Sequence, residues 1–347
     1  MKLAIITLTS QGKKLARELN HKLADDPTVL KVDLYHKQVK TTLQDIFHEY
    51  DCILGIMASG IMIRSICPII KDKTRDPAIL VMDEKAGYVI SILSGHLGGG
   101  NSFTEKIAGF TGAEPVITTS TDVNGKIGID ALARKYFMQV DNPSNILKIN
   151  KALVMDENVE LQVPQRFEYL FKDELVKNSY NQVTSLDNGH VISSNKIEAS
   201  FKDTKITLTP EKIVLGIGAR KGVSLETVLS AARQACIDLD ITLERIDLMA
   251  TAEPKKDETG ILEAAEELGV ELEVVSLDQL KEFLDQSKDF LQEEISESPF
   301  VMRTFGVPGI CEPAALFAAG KQARLLYRKT SFNKVTVAVA VSDSSYH

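Results

Sequence analysis

Apolar residues gather in short runs broken by polar, glycine-bearing stretches, and the runs repeat one order: strand, loop, helix. Residues 3–8 (LAIITL) are apolar almost without a break, as expected of a strand buried on both faces. Thr9-Ser10-Gln11-Gly12 follows, then a helical stretch to about Leu23. Strands are expected at 29–34 and 51–57, with a short helix over 42–49 between them. Ala58-Ser59-Gly60 ends the third strand, and an apolar helix carrying Arg64 comes next. The runs 77–82 (PAILVM) and 88–93 (YVISIL) are joined by so short a connection that they read as an antiparallel hairpin. Directly after them stands Ser94-Gly95-His96-Leu97-Gly98-Gly99-Gly100-Asn101. Ser102 and Glu105 match a capping box, which puts a helix start on the far side of the glycines and its end near Gly112. A strand at 115–120, a turn at Asp122, Asn124 and Gly125, and a helix over 131–137 follow.

Residues 138–210 change character. Asn, Asp and Pro punctuate short runs of mixed polarity, and helical periodicity is weak after about 156. The α/β pattern resumes with a strand at 212–217, the loop Gly218-Ala219-Arg220-Lys221-Gly222, and a helix that Ser224 can cap. Then come a strand at 246–251, a helix at 259–268 stopped by Gly269, and a strand at 271–276. A charged helical stretch at 278–297 precedes a helix with Pro313 in its first turn and two closing strands, 323–329 and 334–342. The fold class is α/β: N-terminal and C-terminal α/β domains with mainly parallel or mixed sheets, joined by a small middle module. The expected boundaries are 1–137, 138–210 and 211–347.

At 347 residues the chain can bury its own cores without staples. Its net charge of −8 argues against a general nucleic-acid partner but leaves room for an anionic small molecule held by local cations. The four cysteines lie far apart, with neither CxxC nor zinc spacing, so they are expected reduced and no protein-bound metal is expected. No apolar run reaches the ~18–20 residues that span a bilayer, and the first residues do not read as a signal peptide, so no membrane partner and a cytoplasmic location are expected.

Four stretches carry candidate chemistry. Glycines in 94–101 could let a ligand reach the amides of Gly98, Gly99, Gly100 and Asn101, with Ser94 beside them. Such donors suit a carboxylate, a phosphate or an oxyanion. His96 could then act as acid or base near neutral pH. The same residues also suit a tight strand-to-helix connection. Ser59, Gly60 and Arg64 offer a guanidinium one turn into an apolar helix, suited to a carboxylate or to a plain ion pair. Arg220 and Lys221 stand at the carboxyl end of a buried strand, where open α/β sheets bind ligands; an exposed basic loop is the alternative. Glu312 either favours a helix N-terminus or serves catalysis. Asp122 with Asn124 and Gly125 reads first as a turn. Cys311 has no histidine near it in sequence, which leaves it weak as a nucleophile.

Taken together, these stretches resemble one family. GIMASGIMIRSICPIIKDKTRDPAILVMDEKAGYVISILSGHLGGGN at 55–101, TTSTDVNGKIGIDALARK at 118–135, GIGARKG at 216–222 and GVPGICEPAALFAAG at 306–320 resemble CbiG, the cobalt-precorrin-5A hydrolases of anaerobic cobalamin synthesis. The resemblance implies a hydrolase that opens the ring A δ-lactone of cobalt-precorrin-5A and releases acetaldehyde, giving cobalt-precorrin-5B. It implies a C-terminal domain like the small protein CobE. The substrate is an anionic macrocycle, so Arg64, Arg220 and Lys221 become candidates for its carboxylates, His96 for the base that activates water, and Glu312 for a second catalytic group. No cofactor is implied, because the cobalt is carried in the substrate. Neighbouring pathway enzymes are the implied protein partners. The competing reading is a carrier that binds a tetrapyrrole intermediate without chemistry.

Overall fold

The computed structural model describes residues 1–72, 75–183, 195–287 and 295–342. They form two compact units, Met1–Pro210 and a second from Glu211 onward.

The first unit opens with β1 (Lys2–Thr7), α1 (Ser10–Ala24), β2 (Lys31–His36), α2 (Val39–Ile46), β3 (Cys52–Ile56), α3 (Ser59–Ile66), β4 (Ala78–Met82), β5 (Tyr88–Leu93), α4 (Gly100–Thr111) and β6 (Glu114–Val116). Their six strands make one sheet in the order β2-β1-β3-β4-β5-β6. Alternation along the strands divides the core into two layers. Leu3 and Ile5 pack with Leu19 of α1 and Ile107 of α4, while Ala4 and Ile6 pack with Leu43 of α2 and Met62 of α3. Both faces are therefore covered, which is why these strands read as continuous apolar runs. β1, β3 and β4 are parallel, but β5 runs antiparallel to β4, as the short 83–87 connection predicts.

α5 (Ser120–Val123), α6 (Ile129–Lys135) and β7 (Met138–Val140) lead into α7 (Ile146–Val154), β8 (Glu160–Gln162), α8 (Glu174–Ser179), β9 (Asn181–Val183), β10 (Ile197–Phe201) and β11 (Thr204–Pro210). The second sheet has the order β7-β11-β10-β8-β9. Its core starts upstream of 138: Ile129, Leu132 and Ala133 of α6 pack with Ile149 and Leu153 of α7 and with Leu161, Ala199 and Leu208 of the strands. The apolar positions of α6 fall on one helical face, and that face is turned to this sheet.

The second unit holds β12 (Ile213–Ala219), α9 (Leu225–Asp238), β13 (Leu248–Ala252), α10 (Thr259–Leu268), β14 (Glu271–Val275), α11 (Leu277–Gln286), α12 (Pro299–Phe305), α13 (Cys311–Ala319), β15 (Arg324–Phe332) and β16 (Val335–Val341). The sheet order is β14-β13-β12-β16-β15, with β12, β13 and β14 parallel and β16 antiparallel to β12. Ser224 caps α9 by accepting from the Thr227 amide, and Gly269 ends α10 in the left-handed region. α13 is buried on nearly every side. A Cβ on Gly216 would lie 2.0 Å from the Cys311 carbonyl oxygen, so only glycine lets α13 rest on β12.

Several boundaries differ from the sequence reading. α4 starts at Gly100, with Gly99 as a left-handed cap, and Ser102 and Glu105 lie inside the helix rather than capping it. The 115–120 run divides into β6 and the start of α5, because Thr119 already stands at the N-cap. α2 begins at Val39, ahead of the expected 42. Of the charged stretch 278–297, α11 covers the first part, and 288–294 lie outside the described residues.

Candidate active site

The loop after β5 folds onto itself. Ser94 takes a φ of 55° and Gly99 a φ of 80°. The Gly99 amide donates to the His96 carbonyl at 2.8 Å, the Gly100 amide to the Ser94 carbonyl at 3.0 Å, and the Asn101 amide to the Gly95 carbonyl at 2.9 Å. A Cβ on Gly98 would stand 2.5 Å from the Ser94 Cβ, and one on Gly100 3.0 Å from the Leu93 carbonyl oxygen. The glycines are thus required by the loop's own close approaches. This corrects the expectation of an amide cradle at 98–101: the amides of Gly99, Gly100 and Asn101 are spent on loop carbonyls.

What the loop delivers is the His96 side chain. Its Nε2 lies 2.7 Å from Asp122 Oδ2 of α5, and its Nδ1 lies 3.1 Å from Asp130 Oδ1 of α6. Thr121 adds a hydroxyl 3.3 Å from Nε2. The imidazole is 9% exposed; Asp130 is 7% exposed and Asp122 34%, so one carboxylate is interior and the other meets solvent. Burial alone would disfavour the imidazolium, but the hydrogen bonds to Asp122 and Asp130 outweigh it and raise the His96 pKa to about 9. Burial would raise Asp122 in turn, yet its hydrogen bond to His96 holds it below the ordinary carboxylate value. At neutral pH the resting group is therefore an imidazolium between two carboxylates. It is poised to give a proton, whereas the sequence reading expected it to take one from water.

Asn101, nearly buried, extends the network. Its Oδ1 accepts from the Ser91 hydroxyl at 2.8 Å and its Nδ2 donates to the Thr119 hydroxyl at 3.0 Å. Its amide also reaches Asp122. The Ser94 hydroxyl is buried without a hydrogen-bond partner among the described residues.

The other sequence candidates lie elsewhere. Ser59, Gly60 and Arg64 follow the carboxyl end of β3, whereas antiparallel β5 delivers His96 beside Ile79, at the amino ends of β3 and β4. The two groups sit at opposite ends of the sheet, separated along β3 by roughly 17 Å at ~3.3 Å per residue. Arg64 is exposed and folds back on its own helix, its Nη1 3.2 Å from where a Gly60 Cβ would stand. Arg220 and Lys221 belong to the second unit, exposed, with no side-chain partner among the described residues. Glu312 is fully buried. It accepts from the Ser296 amide at 2.7 Å, the Ser296 hydroxyl at 3.0 Å and the Lys329 amide at 2.7 Å. This carboxylate ties three segments together and faces no open space, which is a structural role rather than the expected catalytic one. Cys311 is buried, and burial raises its thiol pKa to about 12.

Asp130 was not singled out from sequence, and Asp122 was read as a turn residue. Both lie in the 118–135 stretch, and the visible signal was two acids eight residues apart in a segment dense in Thr, Ser and Asn.

Fold and site describe a mixed α/β enzyme built around a histidine clamped by two carboxylates. Family models match at residues 41–122, described as "Cobalamin synthesis G N-terminal", and at 213–340, described as "Cobalamin synthesis G C-terminus". A Methanocaldococcus jannaschii protein named "Probable cobalt-precorrin-5A hydrolase" is 33% identical, covering 99% of this chain and 100% of its own. A Priestia megaterium protein named cobalt-precorrin-5A hydrolase is 26% identical over 97% of this chain and 94% of its own. A crystal structure of a cobalamin biosynthesis protein G homologue from Sulfolobus solfataricus covers 99% of this chain and 97% of its own at 25% identity, with a TM-score of 0.58. The chain belongs to the cobalamin synthesis G (CbiG) family.

Proposed function

We propose that this chain hydrolyses cobalt-precorrin-5A, opening its ring A δ-lactone and releasing acetaldehyde to give cobalt-precorrin-5B. The observation that carries the reading is the His96 imidazole held between the carboxylates of Asp122 and Asp130. The chemistry needs a proton given and then taken, and this group can do both in sequence. Water adds to the lactone carbonyl, and the acyl C–O bond breaks. The departing alkoxide takes the Nε2 proton of His96, while the proton released from water passes to Asp122 or to solvent. His96 is now neutral, with Asp130 still accepting from Nδ1 and fixing the tautomer. In the second step His96 takes the proton of the freed hydroxyl. The C–C bond breaks in a retro-aldol sense, its electron pair stays with the macrocycle, and acetaldehyde leaves. The imidazolium is restored.

Arg220 and Lys221, exposed and without a side-chain partner among the described residues, are the cations of the second unit suited to a carboxylate of the macrocycle. The cobalt enters as part of the substrate. All four cysteines are free thiols, which suits the reducing cytoplasmic location we propose for the chain.

Purified protein incubated with cobalt-precorrin-5A is expected to release acetaldehyde, read through the NADH consumed by a coupled alcohol dehydrogenase. Retention of the unaltered intermediate, with no acetaldehyde above the protein-free control, would instead establish a carrier.

A further inference from the structure

The second sheet and its helices lie between the two stretches that the family models match, at 41–122 and 213–340. Asp130 comes from this intervening region, and a second side chain from it reaches the site through that carboxylate. Asn150, on α7, donates from Nδ2 to Asp130 Oδ1 at 2.8 Å. Its Oδ1 accepts from the Ile129 amide at 2.9 Å. The same Asp130 oxygen accepts from His96 Nδ1 at 3.1 Å and from the Ala131 amide at 3.2 Å. Asn150 therefore holds both the carboxylate and the first turn of the helix that carries it.

The packing around this contact leaves no slack. A Cβ on Gly128 would lie 2.9 Å from Asn150 Nδ2, 2.9 Å from Asp130 Oδ1 and 3.1 Å from Asn150 Oδ1. Gly128 has an ordinary φ of −63°, so its backbone does not require glycine. The space that Asn150 and Asp130 occupy does.

We propose that Asn150 is a positioning residue for the hydrolytic site: through Asp130 it fixes the orientation and proton affinity of His96, making the 127–210 region part of the working site. This rests on the function proposed above for His96. A carboxylate that accepts a fixed amide donor is held in its ionised form and in one rotamer. That rotamer is the one that meets Nδ1. Without the donor, Asp130 can turn away, and the Nδ1 contact weakens. The charged groups facing His96 are Asp122 from α5 and Asp130 from α6; Tyr180 faces Asp130 from the end of α8, its hydroxyl donating to the Ile127 carbonyl at 3.0 Å.

The test compares Asn150→Leu with Asn150→Asp. Leucine keeps the volume and removes donor and acceptor. Aspartate keeps the shape and the acceptor for Ile129 but removes the donor. His96 is followed by NMR in histidine-labelled full-length protein, its resonance assigned with His96→Gln. In Asn150→Leu the His96 titration midpoint is expected to fall by about half a pH unit or more. Acetaldehyde release should lose about 10- to 100-fold in kcat with KM within about twofold, the size seen when outer partners of a site are removed. Asn150→Asp should also alter the midpoint and the Nδ1–H resonance. An unmoved midpoint with wild-type kcat in both variants overturns the proposal. So does a loss of activity that follows only the fraction unfolded. Where Asn150→Leu fails to fold, the decision falls to Asn150→Asp. Because the titration uses no substrate, it judges the role of Asn150 even if wild-type protein releases no acetaldehyde; that second failure would overturn the function alone.

Discussion

Two glycine-bearing loops leave strands of this chain, β5 and β12, and they use glycine for opposite ends. The 94–101 loop turns its amides inward and presents one side chain, His96, to two carboxylates. The 218–222 loop packs Gly218 against Thr336, where a Cβ would stand 2.5 Å from Oγ1, and leaves Arg220 and Lys221 in solvent. The first stores a charge in a closed network, and the second offers charge to whatever approaches. The number of glycines does not separate these cases. Nor do the amides, since those of Arg220 and Gly222 are also spent, on the Lys334 carbonyl and the Glu258 carboxylate; what separates the loops is whether the cation each carries already has its counter-ions.

If this contrast is right, the two loops fail in different kinetic terms. His96→Gln should give the largest effect, a loss of about 10³ in kcat, equivalent to ~4 kcal/mol of barrier. KM should change little. Acetaldehyde release under saturating substrate reads this directly. A variant that keeps wild-type turnover removes His96 from the chemistry and leaves the closed loop as architecture only.

Next in size is Glu312, which from sequence stood beside His96 as a catalytic candidate. Glu312→Ala leaves the Ser296 and Lys329 amides without their acceptor in a dry interior. The expected cost is about 3 kcal/mol of stability, with Glu312→Gln milder because it restores one acceptor. Urea denaturation followed by circular dichroism measures it. A change below ~1 kcal/mol would mean that the carboxylate does not hold these segments.

Much of the fold was open to reading because its signals are local. Continuous apolar runs marked the two-faced strands, Ser224 and Gly269 marked both kinds of helix end, and the five residues 83–87 fixed β4 and β5 as antiparallel. That same hairpin carries a consequence the individual motifs hid. By reversing β5 it sends His96 to the end of the sheet opposite Arg64, so two motifs close in sequence are far apart in space. The site itself was half visible. His96 stood out by its glycines, but its partners come from a four-residue helix and from the first turn of α6, where Asp122 and Asp130 look like ordinary turn and cap residues. Asn150 carried no signal, because its role depends on how α7 packs beside α6.

The closed network also sets a pH dependence with a definite sign. His96 is raised from 6.5 to about 9 on folding, so its contribution to stability is fully present below about 6.5 and is lost as pH rises through 9. At ~1.4 kcal/mol per unit the loss is on the order of 3 kcal/mol. Asp122 acts in the other direction: its pKa is lowered on folding, so its share is lost as pH falls through that lowered value. Unfolding free energies at pH 6.5 and 9.5 should therefore differ in the wild type and converge in His96→Gln. An unchanged slope in the variant would place the titration elsewhere.

The open loop gives the smallest effect and the sharpest test of the contrast. Arg220 and Lys221 are solvated, so each ion pair they form with a carboxylate replaces hydration that was already favourable. Arg220→Ala is expected to raise KM by about three- to tenfold, near 1 kcal/mol, with kcat kept. Lys221→Ala should do less, because an ammonium lacks the bidentate fork. Both effects should shrink as salt rises from about 0.05 to 0.5 M, since the Debye length that screens exposed charges falls from ~14 Å to ~4 Å. Salt should leave the kcat defect of His96→Gln almost untouched, because the 9%-exposed imidazole already has its counter-ions inside the protein. If instead Arg220→Ala lowers kcat by the same factor at every salt concentration, the loop is not an open anchor.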